Sequence, residues 1–162
     1  LKVEDFDKTF AVNLSGVVNG LVPAIAWMKA RGRGQVAIVS SVTGYGGMPT
    51  SAAYGATKAA LINMAESLKF DLAQFGVRIQ VINPGFVDTP ATADNAFEMP
   101  ALVQPEAAAK RIARGLKSGS FEITFPRRFT YVLKALQFLP YPAYFWLMNV
   151  ATGWKKRPLE TR

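Results

Sequence analysis

Residues 35–62 read QVAIVSSVTGYGGMPTSAAYGATKAALI, and three signals follow one another along them. Gln35 to Ser40 is a short β-branched run bounded by Gly34, the pattern of a buried parallel strand. Gly44, Gly46, Gly47 and Pro49 then mark a loop. From Ser51 to Phe75 small and apolar residues recur at helical spacing (Ala56, Ala59, Ala60, Ile62, Ala65, Leu68), and Gly76 stops the run. The stretch is a strand, a loop and a long helix.

The neighbours on either side repeat that alternation. Asp5 to Arg31 carries Phe6, Phe10, Val17, Val18, Leu21, Ile25 and Met28 at helical intervals, with a kink expected at Pro23. Val77 to Asn83 is a second strand, closed by Pro84 and Gly85. Phe86 to Gln104 is a long irregular segment, which in a compact domain tends to carry function. Pro105 opens a helix over Glu106 to Lys117, and Phe121 to Phe125 is a third strand. Strands and helices in this order predict an α/β fold, a doubly wound parallel sheet covered on both faces.

Composition removes most familiar catalytic sets. The 162 residues are 50% hydrophobic and 19% charged, with no His and no Cys. That excludes disulfides, thiol nucleophiles, imidazole bases and His- or Cys-ligated metals. Acid–base work falls to Tyr, Lys, Asp or Glu. The absence of Cys fits a reducing compartment, so a cytoplasmic location is expected, with membrane association as an addition.

The net charge of +8 is concentrated at one end. Residues 126–162 hold seven bases (Arg127, Arg128, Lys134, Lys155, Lys156, Arg157, Arg162) against Glu160, a net of +6, while residues 1–125 are close to neutral at +2. Between Phe129 and Trp154 the only charge is Lys134, among Tyr131, Phe138, Tyr141, Tyr144, Phe145 and Trp146. Nucleic-acid binding is not expected, because the bases do not alternate with rings over a folded face. Pro140 and Pro142 interrupt the apolar run, so no continuous membrane-spanning helix is expected there. The rings are expected first to cover the domain's own core or an oligomer partner, with an interfacial anchor as the alternative. Charge thus divides the chain into a near-neutral body, 1–125, and a basic aromatic extension, 126–162.

Tyr54 and Lys58 stand four residues apart on the long helix, on one face and about 5–6 Å apart at Cβ. A cation beside a phenol favours phenolate and makes an acid–base usable near neutral pH. Ser41 lies just past a strand end, where open α/β sheets bind ligands. The second strand ends in Asn83-Pro84-Gly85-Phe86-Val87-Asp88-Thr89 at the same edge, and Asn13 precedes Gly16 in the first helix.

Taken together, Asn13-Leu-Ser-Gly16, Ser40-Ser41-Val-Thr-Gly44, Tyr54-Gly-Ala-Thr-Lys58 and Asn83-Pro84-Gly85-Phe-Val87-Asp-Thr89 resemble the short-chain dehydrogenase/reductase family in order and spacing, over about Leu1 to Phe125. The resemblance implies a Rossmann-like fold and an oxidoreductase using NAD or NADP on an alcohol or ketone. It implies Tyr54 as acid–base and as part of the cofactor site, Ser41 rather than Ser40 orienting the substrate oxygen, and Lys58 holding ribose hydroxyls while lowering the Tyr54 pKa. Asn13 would support a proton-supplying water chain, and Pro84, Gly85, Val87 and Thr89 would line the nicotinamide end. A homodimer or homotetramer is also implied.

The glycine-rich turn of that family has no counterpart in these residues, so the sequence reads as the C-terminal catalytic portion of a longer chain. Phe86, Ala91, Ala96, Phe97, Met99, Ala101 and Leu102, with Tyr45 and Met48 near Ser41, suggest an apolar substrate under a mobile lid. The alternatives are a non-catalytic binding relative and a membrane-peripheral protein acting through its tail.

Overall fold

The computed structural model describes residues 2–93 and 99–157. Three strands, β1 (Gly34–Val39), β2 (Val77–Pro84) and β3 (Glu122–Phe125), form one parallel sheet in the order β1-β2-β3. Val36 stands opposite Ile79 and Ile38 opposite Val81, while Ile82 meets Ile123. Central β2 is buried along nearly its whole length, the pattern of a strand covered on both faces. Its polar Gln80 is buried because every group is used: its amide donates to the Gly115 and Ser120 carbonyls and its oxygen accepts from Gln35.

Helices lie on both sides. On one face Leu21, Leu61, Ala65 and Leu72 pack on Ile38, Val77, Ile79 and Val81. The helix residues belong to α2 (Gly16–Ala30) and α3 (Ala52–Ala73); α1 (Val3–Phe10) precedes α2 through a π turn at Ala11–Ser15 and packs against α3 without burying a residue. On the other face α5 (Pro105–Lys117) sets Ala108 against Ile82, Ile123 and Phe125. The short α4 (Pro90–Ala93) lies between. The expected elements are all present.

The first helix differs from the sequence reading. It runs on through Pro23, where the packing of Leu21 and Ile25 on the core outweighs the missing N–H. A further irregularity, which the sequence did not announce, is the π turn around Asn13. Val3–Ala30 as a whole is long and apolar enough to cross a membrane by length and composition, yet Leu14, Val17, Leu21, Ile25 and Met28 pack against the sheet layer.

After β3 the chain forms α6 (Arg127–Ala135), a 3₁₀ turn at Leu136–Phe138 and α7 (Tyr141–Thr152), which ends at left-handed Gly153. The expectation that these rings cover the core holds for one side only. Thr130, Tyr144 and Met148 are buried, whereas Tyr131, Phe138, Tyr141, Phe145 and Trp146 are exposed.

Candidate active site

The carboxyl ends of β1 and β2 gather the residues that carry chemistry. β1 delivers two adjacent serines with different tasks. Ser40 is buried, and its hydroxyl donates to the Lys58 carbonyl oxygen at 2.7 Å, tying the strand end to α3. Ser41 begins the 3₁₀ turn Val42–Gly44 and accepts from the Thr43 N–H at 3.2 Å. Its hydroxyl neighbours the Tyr54 phenol, near enough to favour the phenolate. Ser40 is structural, and Ser41 is the serine beside the phenol.

That close approach depends on Gly44. A Cβ there would sit 2.7 Å from Ile62 Cδ1 and 2.8 Å from the Lys58 carbonyl carbon, closer than atoms pack. Gly44→Ala is expected to push the Ser41 turn off α3 and cost about 1–3 kcal/mol. Thermal unfolding checks this; an unchanged midpoint would show that the turn yields without strain.

Tyr54 is 42% exposed, while Lys58 is half-buried. Burial pushes the Tyr54 phenol above its ordinary value, and the neighbouring Ser41 hydroxyl opposes the rise without cancelling it. Burial likewise pushes the Lys58 ammonium down. The lowering of Tyr54 by Lys58 that the spacing suggested is thus corrected. The ammonium donates to the Val39 carbonyl oxygen at 3.1 Å and stands 5.4 Å from the Tyr54 ring centroid, so burial decides the direction.

Asn13 lies in the π turn, which packs against α3, the helix of Tyr54 and Lys58. Single π turns inside α-helices often mark functional positions. Gly85 N–H donates to the Phe125 carbonyl at 2.8 Å, and a Cβ at Gly85 would press on Phe129 at 3.2 Å. Val87 bridges Val103, and the Thr92 hydroxyl closes the turn by donating to the Val87 carbonyl oxygen at 2.7 Å and accepting from the Thr89 N–H at 3.1 Å. Pro84, Gly85, Val87 and Thr89 therefore form one braced segment at the end of β2. Thr92 is a brace that the sequence did not reveal. Of the expected lid, Asp94, Ala96, Phe97 and Glu98 lie outside the described residues. Phe86 packs on the Phe129 ring, centroids 5.9 Å apart.

Tyr45 is a second correction. It is buried, and its hydroxyl donates to Glu122 Oε1 at 2.5 Å rather than standing free beside Ser41. The same oxygen accepts from Asn83 Nδ2 at 2.6 Å, and Glu122 Oε2 pairs with Lys134 Nζ at 2.5 Å. Gln137 donates to the Tyr45 carbonyl oxygen, and the Tyr144 hydroxyl to that of Gly47 at 2.9 Å. The loop between Ser41 and Tyr54 is thus fastened to β3, α6 and α7. A cavity of about 300 Å³ lies beside this network, lined by Ile62, Asn63, Glu66 and Phe121 among others, and not at Tyr54.

The residues present suit a nicotinamide–ribose group. One of the three Lys58 N–H bonds goes to Val39, and the remaining donors suit a vicinal diol at the same strand ends as Tyr54 and Thr89.

A parallel sheet sandwiched by helices, with serine, tyrosine and lysine gathered past the carboxyl ends of its strands, defines a Rossmann-like α/β domain. The short chain dehydrogenase family model matches residues 1–99, and the chain belongs to that family. It is 36% identical over 132 residues to an uncharacterized oxidoreductase of Myxococcus xanthus, covering 82% of this chain and 52% of the relative. It is 40% identical over 88 residues to an acetoacetyl-CoA reductase of Synechocystis, covering 54% of this chain and 37% of that one. The chain spans about half the length, or less, of these curated relatives. Among solved structures, LigD in its apo form from Sphingobium superposes with a TM-score of 0.67 at 28% identity, covering 83% of this chain and 52% of that one. A short chain dehydrogenase from Burkholderia cenocepacia in complex with NADP superposes with a TM-score of 0.74, at 23% identity and over 83% and 55% of the two chains, a likeness of fold.

Proposed function

We propose that this chain carries the catalytic part of an NAD(P)-dependent oxidoreductase that interconverts an alcohol and a carbonyl, with Tyr54 as acid–base. The observation that carries the reading is the gathering of the Ser41 hydroxyl and the Tyr54 phenol past the end of β1, with Lys58 one helical turn behind and its ammonium 5.4 Å from the Tyr54 ring centroid. Family membership and the reductase and dehydrogenase names of its relatives support the reaction class. The NADP bound by the Burkholderia cenocepacia dehydrogenase, and by a gluconate 5-dehydrogenase from the same species at 31% identity and a TM-score of 0.56, supports the cofactor.

The nicotinamide would supply or accept hydride at the substrate carbon. This chain's residues handle the oxygen. In the reductive direction Ser41 donates a hydrogen bond to the carbonyl oxygen and Tyr54 gives it a proton, so that negative charge does not build up. The raised phenol value keeps Tyr54 protonated and ready to donate. Lys58 orients ribose hydroxyls, and Asn13 steadies the path by which Tyr54 regains its proton.

Exposed Leu102 and half-buried Met48 support an apolar substrate, and exposed Val12 and Trp27 on the first helix with Phe70 on α3 support a homo-oligomer. The test is Ser41→Ala, assayed with NADPH and NADH against a panel of apolar ketones. A fall in kcat of about 10²-fold, with cofactor affinity unchanged by calorimetry, is expected from losing one donor at the developing oxyanion. Unchanged kcat on a turned-over ketone would remove Ser41 from the reaction.

A further inference from the structure

We propose that the α6–α7 segment is a docking face for a bilayer bearing anionic headgroups, lying in the plane of its surface. Phe138, Tyr141 and Trp146 are 87%, 76% and 66% exposed, and Val132, Leu139, Phe145 and Val150 are exposed beside them. This is a continuous run of elements with an outward apolar side, where single exposed apolar residues would need no explanation. The inward side is fixed: Thr130, Tyr144 and Met148 are buried, and the Tyr144 hydroxyl is bonded to Gly47. Tyr141 and Phe145 stack with centroids 5.8 Å apart, presenting a flat aromatic surface. The segment follows β3 at one edge of the sheet, and β1 forms the opposite edge.

Charge selects the occupant. Residues 135–154 carry no charge, Arg127 and Arg128 precede them, Lys155 and Lys156 follow, and no acid occurs from 126 to 157. A second copy meeting this face through its own would bring cations against cations. An anionic lipid surface attracts them, and Trp and Tyr rings settle at the headgroup level. Helix α7 has 12 residues, about 18 Å in length, short of the ~30 Å needed to span, so it lies on the surface rather than crossing.

The experiment is flotation of the full chain with vesicles of phosphatidylcholine alone and of phosphatidylcholine mixed with phosphatidylglycerol. At least about tenfold more protein is expected on the anionic vesicles, lost again in about 0.5 M salt. The combined variant Phe138→Ser, Tyr141→Ser, Trp146→Ser is expected to lower that binding about tenfold while leaving turnover in solution unchanged. Arg127→Gln with Lys156→Gln, which alters no packed ring, is expected to weaken binding to anionic vesicles only. Absence of the wild-type chain from anionic vesicles overturns the proposal. So does a sedimentation-detected oligomer that the serine variant abolishes without any change in vesicle binding, which would make the face a protein interface.

Discussion

Tyr54→Phe is expected to lower kcat/KM about 10²- to 10⁴-fold, the range that a positioned acid–base supplies. The substitution removes one oxygen and keeps the ring. Tyr54 is 42% exposed and its phenol meets Ser41. Folding should therefore survive, and the circular dichroism melt should stay within about 1 kcal/mol of the parent. Cofactor affinity should also survive, because Lys58 keeps its hold on Val39 without the phenol. The pH profile separates loss of the acid–base from a general disturbance. Burial raises the phenol value, so reduction should stay level through neutral pH and fall only as the phenol loses its proton on the alkaline side. In Tyr54→Phe that alkaline limb should vanish from whatever rate remains. A variant that keeps most of the parent turnover would remove Tyr54 from the mechanism.

The parts of this fold that rest on local pattern were legible. Strands and helices announced themselves through β-branched runs and helical spacing, since each signal is carried by neighbouring residues. The pairing of Ser41 with Tyr54 came from the resemblance of the motifs to the family rather than from local pattern. The choice between Ser40 and Ser41 became physical only with coordinates: one hydroxyl is consumed by the Lys58 carbonyl, the other meets the phenol. The direction of the Tyr54 shift was not legible, because it depends on burial and on where the Lys58 ammonium points. Neither is encoded by a spacing of four.

The network around Glu122 escaped for a different reason. Tyr45 sits in a glycine-rich loop and read as part of a substrate wall; Lys134 read as a stray charge in an apolar tail. Their common partner lies 77 and 12 residues away respectively, and no local pattern reports a meeting across such distances. The available signal was weak: Glu122 is an acid inside the otherwise uncharged run FEITF, near the end of a parallel sheet. A carboxylate in such a strand needs a partner.

Glu122→Ala is expected to cost about 2–6 kcal/mol, because two buried donors lose this acceptor at about 1–3 kcal/mol each. The Tyr45 hydroxyl would keep only Thr124, at 3.3 Å, and the Asn83 amide would lose its Glu122 bond while its Oδ1 already lacks a hydrogen-bond partner. Lys134 is partly exposed and would recover water, so its share is small. Glu122→Gln should cost less, since a neutral oxygen still accepts from Tyr45 and Asn83, although its NH₂ would then face the Lys134 ammonium. The same carboxylate sets an acid limit. Burial alone would raise its pKa, but hydrogen bonds from Lys134, Tyr45 and Asn83 outweigh that and hold it below the ordinary value. Its stabilising contribution is therefore present above the ordinary carboxylate value of about 4.3 and is lost as pH falls through the lower folded value. Chemical denaturation of the parent and of Glu122→Gln between neutral and acid pH should show the two curves converging below about pH 4. Activity adds a second readout, because Tyr45 anchors the loop between Ser41 and Tyr54. The alanine variant should lose kcat at temperatures where it is still folded, and the glutamine variant should restore most of it. If the alanine variant melts with the parent and turns over as fast, the carboxylate neither supports the fold nor positions Ser41.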